Sequence, residues 1–142
     1  MYRVLLPVDE NEQRAKQAAQ NVADLPREPD DIKVVVLNVQ EPYSVGDGGG
    51  RVSSEELFDE TDYPKTVGTV LDLLAEAGIE TEKRRVHGSA SEEILAAAED
   101  IDADAIAMSG RKRSPTGKVL FGSVTQSVLL DANRPVLVSS ME

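Results

Sequence analysis

Short apolar segments without helical periodicity alternate along this chain with segments whose apolar residues recur every three or four positions. Segments of the first kind predict buried strands at residues 2–8 and 31–39 and further strands at 103–109 and 136–140, and alternation at the start of residues 79–88 predicts a fifth strand there. Those of the second kind predict four main helices, at residues 11–25, 64–77, 89–100 and 122–132. Strands separated by helices form right-handed βαβ units. The alternation therefore predicts an α/β fold, a doubly wound five-stranded parallel sheet with helices on both faces, in a single domain over residues 1–142.

Residues at the segment ends support these boundaries. Pro26 and Pro29 end the first helix, and Ser89 with Glu92 predicts a capping box at the start of the third. Residues 41–64 contain three successive glycines and are predicted to form a long flexible excursion. The last helix is predicted to turn three apolar residues inward: Val124, Val128 and Leu129.

The charge balance is strongly acidic, with 26 Asp and Glu against 15 Lys and Arg and a formal net charge of -11. Such a surface repels a phosphate backbone, which disfavours general nucleic-acid binding. It is typical of proteins from a high-salt cytoplasm, although ordinary cytoplasmic proteins are acidic as well. The absence of cysteine excludes disulfides and thiolate chemistry, and a single histidine disfavours a transition-metal site. Without a membrane-length apolar run or a signal-peptide pattern, the chain is expected to be cytoplasmic.

One basic segment, at residues 109–125, contrasts with this acidity. Four cations lie within eight positions there: Arg111, Lys112, Arg113 and Lys118. The TGK sequence at 116–118 is not a P-loop, because Lys112 stands where that motif needs glycine and Val119 where it needs Ser or Thr. A dinucleotide fingerprint is also absent, since no glycine follows the first strand.

Glycines in this segment instead predict an anion-binding loop. Gly110 ends a predicted strand, and Gly122 with Ser123 opens a helix whose first N–H groups are unpaired and favour an anion. Ser123 and Thr125 add hydroxyl donors. In doubly wound sheets such a loop lies at the carboxyl ends of the strands, where ligands bind. The alternative is a solvated basic loop that contacts the protein's own carboxylates.

Several segments together resemble the universal stress protein family. They are VLLPVD at 4–9, the second strand ending in Asn38-Val39, HGSASEEI at 87–94, Gly122-Ser123, and NRPVLV at 133–138. The resemblance extends over essentially the whole chain. It implies strand order 3-2-1-4-5, a homodimer and, in one branch of the family, bound ATP.

The ATP-binding branch is marked by a glycine, two residues, a second glycine, nine residues, and then Gly followed by Ser or Thr. Gly110 and Gly122-Ser123 match the ends of this pattern, whereas Arg113 replaces the second glycine and the loop is one residue shorter. Gly117 supplies flexibility elsewhere in the loop. Side-chain donors to the phosphates are then expected from Arg111, Lys112 and Arg113.

The same resemblance implies roles for residues near the first two strands. Asp9 would hold the ribose hydroxyls, Pro7 and Val8 would shape the base pocket, and Val39 would pack on the adenine. The binding segment at the last helix would comprise Gly122, Ser123, Val124 and Thr125. The alternatives are that Asp9 caps the first helix and that Val8 and Val39 are plain core.

The resemblance thus implies a cytoplasmic homodimer that binds ATP or AMP, ATP with or without Mg, and acts as a stress-linked sensor or adaptor. In the implied order the last strand lies at a sheet edge and is expected to pair with its symmetry mate through Val136, Leu137 and Val138. Two alternatives are a nucleotide-independent dimeric interaction module and a slow Mg-dependent ATP hydrolase.

Overall fold

The computed structural model describes residues 1–41, 63–112 and 121–141. Strands and helices alternate through this part of the chain: β1 Tyr2–Pro7, α1 Glu12–Ala23, β2 Ile32–Gln40, α2 Lys65–Glu76, β3 Glu80–His87, α3 Ala90–Asp100, β4 Ala105–Lys112, α4 Ser123–Asp131 and β5 Val136–Met141. The strands are parallel and follow the order β3-β2-β1-β4-β5. The predicted α/β architecture and strand order are confirmed. Most of the excursion predicted at residues 41–64 lies outside the described residues.

Two hydrophobic clusters pack on opposite faces of the sheet. Alternate residues of β1 and β2 point to opposite sides, so Val4 and Val34 pack with α1 and α2, whereas Leu5 and Val35 pack with α3. All four side chains are buried. Because helices cover both faces, the two central strands are almost continuously apolar, as the sequence predicts. Among the described helices, none has the length and hydrophobicity needed to cross a bilayer.

Strands β1 and β4 meet where the direction of strand order reverses. Their pairing is short and joins Val4 with Ala105 and Leu5 with Ile106, whereas β1 pairs with β2 along its whole length. The carboxyl ends of β1 and β4 are therefore not joined by a continuing ladder. A crevice at this position is where doubly wound sheets bind ligands.

The two outer strands of the described sheet differ in composition. Strand β3 reads ETEKRRVH, and Lys33 of β2 lies 3.6 Å from both Glu80 and Glu82 on it. Strand β5 reads VLVSSM and carries no charge. Arg134, just before β5, donates hydrogen bonds to the carbonyls of Ala98 and Ala103, at 3.0 and 2.8 Å, and so ties the end of α3 to β5.

Three local expectations are wrong. Strand β4 continues to Lys112, past the predicted end at Ser109, with a register irregularity between those residues. A strand tolerates glycine at such a bulge, so Gly110 does not end it. In α4, Thr125 and Val128 are buried, but Leu129 is 37% exposed and does not face inward.

The third wrong expectation is the capping box. Ser89 is the N-cap of α3, but among the described residues its side chain makes no capping hydrogen bond. The N–H of Ala90 instead lies 3.4 Å from a carboxylate oxygen of Glu41. The Glu93 side chain folds back over Gly88, where an added Cβ would come within 2.6 Å of its carboxylate.

Candidate functional site

A cleft of about 210 Å³ opens at the carboxyl ends of β1 and β4. It brings together eight of the residues that the sequence predicts for a nucleotide site: Pro7, Val8, Asp9, Val39, Gly122, Ser123, Val124 and Thr125. Eight more lining residues were not predicted: Arg14, Ala15, Ala18, Leu37, Ala90, Ile94, Met108 and Ser109. The cleft therefore has walls from α1 and α3 in addition to the expected strand ends and α4.

The remaining predicted site residues lie on the basic segment. Gly110, Arg111 and Lys112 form the last part of β4 and are not among the residues that line the described cleft. The side chains of Arg111 and Lys112 lie outside what the structure describes, as do Arg113 and Gly117 entirely. Phosphate contacts from these cations stay a prediction.

The N-terminus of α4 faces the cleft without a side-chain cap from the described residues. Gly122 is the N-cap residue, and its carbonyl accepts the first helical hydrogen bond, from Gln126 at 3.0 Å. The N–H groups of the first turn have no partner within a helix, and the helix dipole gives them partial positive charge. Because Gly122 has no side chain, an anion can approach these groups closely.

Asp9 lies two residues after the end of β1 and takes part in a closed local hydrogen-bond network. One carboxylate oxygen accepts from the Asn11 N–H at 2.8 Å, and the other accepts from the Arg14 guanidinium at 2.9 Å. Asn11 in turn caps α1, because its side chain accepts from the Arg14 N–H at 2.9 Å. The N-cap of α1 is therefore Asn11, so the alternative in which Asp9 serves as that cap is wrong. The Asp9 side chain is 63% exposed, which leaves its oxygens accessible from the cleft.

Three further hydrogen bonds hold the backbone around Asp9. The Thr66 hydroxyl, at the start of α2, donates to the Asp9 carbonyl. The side-chain amide of buried Asn38 donates to the Val8 carbonyl at 3.3 Å, and the Val8 N–H donates to the Leu37 carbonyl. The segment after β1 is thereby hydrogen-bonded to α2 and to β2, which fixes the backbone position of Asp9.

Apolar side chains form the other surface of the cleft. Val8, Ile94 and Met108 are 5%, 2% and 7% exposed, and Val39 packs against the same cluster as Ile94. Val8 and Val39 therefore pack in or against the hydrophobic core and also line the cleft, and their contact with a base stays a prediction. An apolar surface flanked by a few polar groups suits a flat heterocycle with a polar substituent.

Ser109 adds a polar atom that sequence reasoning missed. Its hydroxyl is buried and lines the cleft region without a hydrogen-bond partner among residues 1–41, 63–112 and 121–141. Arg14 was missed for a different reason, since a charged residue in a first helical turn is typical of a solvated face. Its spacing of five residues after Asp9, across a strand–helix turn, is the one signal that places the two side chains near each other.

Comparison with known proteins gives consistent matches. The model of the universal stress protein family matches residues 1–140. A universal stress protein of Mycolicibacterium smegmatis is 42% identical over 65 residues, which are 45% of this chain and 50% of that protein. The chain thus matches about half the length of this curated relative.

Solved structures match over nearly the full length. A universal stress protein from Archaeoglobus fulgidus is 30% identical, with 97% of this chain and 98% of that chain covered and a TM-score of 0.73. The universal stress protein from the same organism in complex with dAMP is 24% identical, with 97% of each chain covered and a TM-score of 0.67. Two further structures at 16% identity, described with cAMP and with AMP bound, have TM-scores of 0.66 and 0.68. At 24% and 16% identity, the likeness establishes the fold.

Proposed function

This chain belongs to the universal stress protein family, and from that premise we propose that its cleft binds an adenine nucleotide. The observation that carries the proposal is the convergence of three chemically different surfaces in one crevice. These are the Asp9 carboxylate, the apolar wall around Val39, and the uncapped N-terminus of α4 at Gly122. Each suits a different part of a nucleotide. Matching structures described with dAMP, cAMP or AMP support the same ligand class.

The base and the ribose take the strand side of the cleft. Adenine packs on the apolar surface of Val8 and Val39, with Ile94 and Met108 behind it. Asp9 accepts hydrogen bonds from the ribose hydroxyls, because an ionised carboxylate has about four acceptor positions and two are already occupied. Pro7 keeps this end of β1 rigid through its fixed φ.

The phosphates take the helix side. The first N–H groups of α4 and the hydroxyls of Ser123 and Thr125 donate to phosphate oxygens. The cations of the basic segment, Arg111, Lys112 and Arg113, add charge-assisted donors. In this proposal their charge compensates locally for the acidic surface, which accounts for the four cations between residues 111 and 118 of an acidic protein.

The protein acts as a dimeric sensor or adaptor in a stress response rather than as a dedicated enzyme. Asp9 is the carboxylate of the described cleft, and the nucleotide proposal already uses it for the ribose. A slow Mg-dependent hydrolase would release phosphate from ATP only when Mg is present. Measuring phosphate release with and without Mg separates hydrolysis from simple binding.

The test of the proposed function begins with the purified protein. Denaturing it and identifying released small molecules by mass is expected to yield AMP, ADP or ATP. Isothermal titration of the nucleotide-free protein with the same compounds is expected to give saturable binding at one site per chain. Protein that releases no nucleotide and binds none in titration would favour the nucleotide-independent interaction module. The presence of Arg113 in place of the second glycine of the family pattern favours the same alternative.

A further inference from the structure

We propose that Arg14 is a positioning residue, which holds the Asp9 carboxylate in the orientation that recognises the ribose hydroxyls. The inference rests on the proposed nucleotide function and names the residue on which ribose recognition by that site depends. It assigns to Arg14 a role through Asp9 rather than a contact with the phosphates.

The hydrogen-bond network gives the first argument. The Arg14 guanidinium lies 2.9 Å from one Asp9 oxygen, and the Asn11 N–H lies 2.8 Å from the other. The Arg14 N–H also donates to the Asn11 side chain. These three residues therefore close a ring of hydrogen bonds that fixes the carboxylate plane. Each Asp9 oxygen keeps accepting capacity for one ligand hydroxyl.

Exposure gives the second argument. The Arg14 side chain is 25% exposed, whereas that of Asp9 is 63% exposed, and both residues line the cleft. Arg14 is thus the more buried partner, and the carboxylate is the group presented to a ligand. An exposed aspartate without such a partner would distribute among about three staggered side-chain conformations.

Local charge gives the third argument. Asp9 is followed by Glu10 and Glu12, so three acidic residues lie within the four positions that lead into α1. Repulsion from these neighbouring carboxylates would displace an unpaired Asp9 side chain, and the ion pair with Arg14 opposes that displacement. The guanidinium neutralises Asp9 while leaving its oxygens as acceptors. A partly exposed ion pair contributes little to folding stability, so this arrangement serves recognition more than stability.

The experiment compares two ligands in titration calorimetry, AMP and 2′,3′-dideoxy-AMP, which lacks both ribose hydroxyls. With Arg14→Met, the affinity for AMP is expected to fall about three- to tenfold, from loss of the single carboxylate conformation that meets the ribose hydroxyls. The affinity for the dideoxy compound is expected to change by less than about twofold, because it makes no hydroxyl contact with Asp9. Unchanged binding of the dideoxy compound also shows that the variant is folded.

Lys16→Met is the matched control. It removes one positive charge from the same helix, but Lys16 pairs with Glu12 at 3.9 Å and does not line the cleft. Its affinities for both ligands are expected to equal those of the unmodified protein. Arg14→Lys keeps the charge without the planar fork and is expected to give an AMP affinity between those of the unmodified protein and Arg14→Met.

Equal losses of affinity for AMP and the dideoxy compound in Arg14→Met would overturn the inference, because Arg14 would then act on the fold or on the phosphate. A loss that grows from AMP to ATP would also overturn it, because Arg14 would then act on the phosphates. If the unmodified protein binds AMP and the dideoxy compound equally well, the hydroxyls contribute nothing; the inference is wrong and nucleotide binding stands. If it binds neither compound, the proposed function fails first and the inference with it.

Discussion

Replacing Gly122 with valine is expected to abolish nucleotide binding and leave the fold nearly intact. Gly122 has φ -71° and ψ 165°, an extended conformation that a β-branched residue adopts without strain. The substitution adds a branched side chain at the mouth of the cleft, where an anion must approach the first N–H groups of α4. Replacing glycine at an N-cap by valine costs about 1 kcal/mol or less of folding stability.

The expected loss of affinity follows from the number of N–H groups covered. A hydrogen bond from an N–H to a charged phosphate contributes about 1.5–3 kcal/mol when it is desolvated. Blocking the approach to the N–H groups of Ser123 and Val124 therefore costs about 3–6 kcal/mol, which is at least about a hundredfold in affinity.

Titration with AMP and ATP measures this loss, and thermal denaturation measures the cost to the fold. Gly68→Val is the matched control, because Gly68 lies in α2 outside the cleft lining, and a Cβ added there has no neighbour within 4 Å. A folded Gly122→Val protein with unchanged affinity would refute the phosphate role of the α4 N-terminus.

Three further predictions follow from other parts of the chain. Neutralising Arg111, Lys112 and Arg113 together is expected to weaken ATP far more than adenosine in titration, and Arg113→Gly alone by less than about tenfold; equal losses for ATP and adenosine would mean that these cations serve folding or solubility. The uncharged edge strand β5 is expected to pair with a second copy, so light scattering at micromolar protein in molar KCl should give a dimer; a monomer contradicts this pairing. Arg134→Met is expected to lower the free energy of unfolding by about 1.5–3 kcal/mol, because the side chain is 16% exposed and donates to two carbonyls. Denaturant titration measures this change. In the same experiment Lys16→Met, which breaks an exposed ion pair, should lower the free energy of unfolding by less than about 1 kcal/mol.

The fold was predictable because the strand and helix patterns in the sequence agree with the observed layers of the α/β sheet. Continuous apolar strands require cover on both faces, and the helical periods between them supply it. The order of the strands is a different matter, since periodicity does not determine which strands are neighbours. That expectation came from the family resemblance and is confirmed by the sheet.

The local errors have physical causes. Gly110 was expected to end a strand, but pairing with β5 continues through a bulge, which depends on a partner far away in sequence. In α4, a short helix with apolar residues on more than one side, the pattern does not fix which side faces the sheet; Thr125 is buried and Leu129 is not. Tertiary packing decides both cases.

The candidate site was predictable at the strand ends and at the α4 N-terminus, where glycine and aspartate are informative residue types. It was not predictable on the α1 and α3 sides. Ala90 and Ile94 follow an ordinary helical period, and nothing in that period distinguishes a cleft wall from the core. For Arg14 the sequence holds only the spacing from Asp9, and the structure is needed to show its guanidinium beside that carboxylate.

The unequal edges of the described sheet bear on the predicted pairing of two copies. Addition of strands to β3 would bring its crowded charges against those of a second copy, whereas β5 offers an uncharged row of backbone groups. A sheet that can extend from one side alone stops growing after a single pairing event. If β5 is the edge that pairs, as predicted above, association ends in a finite closed complex and not in an open-ended fibre.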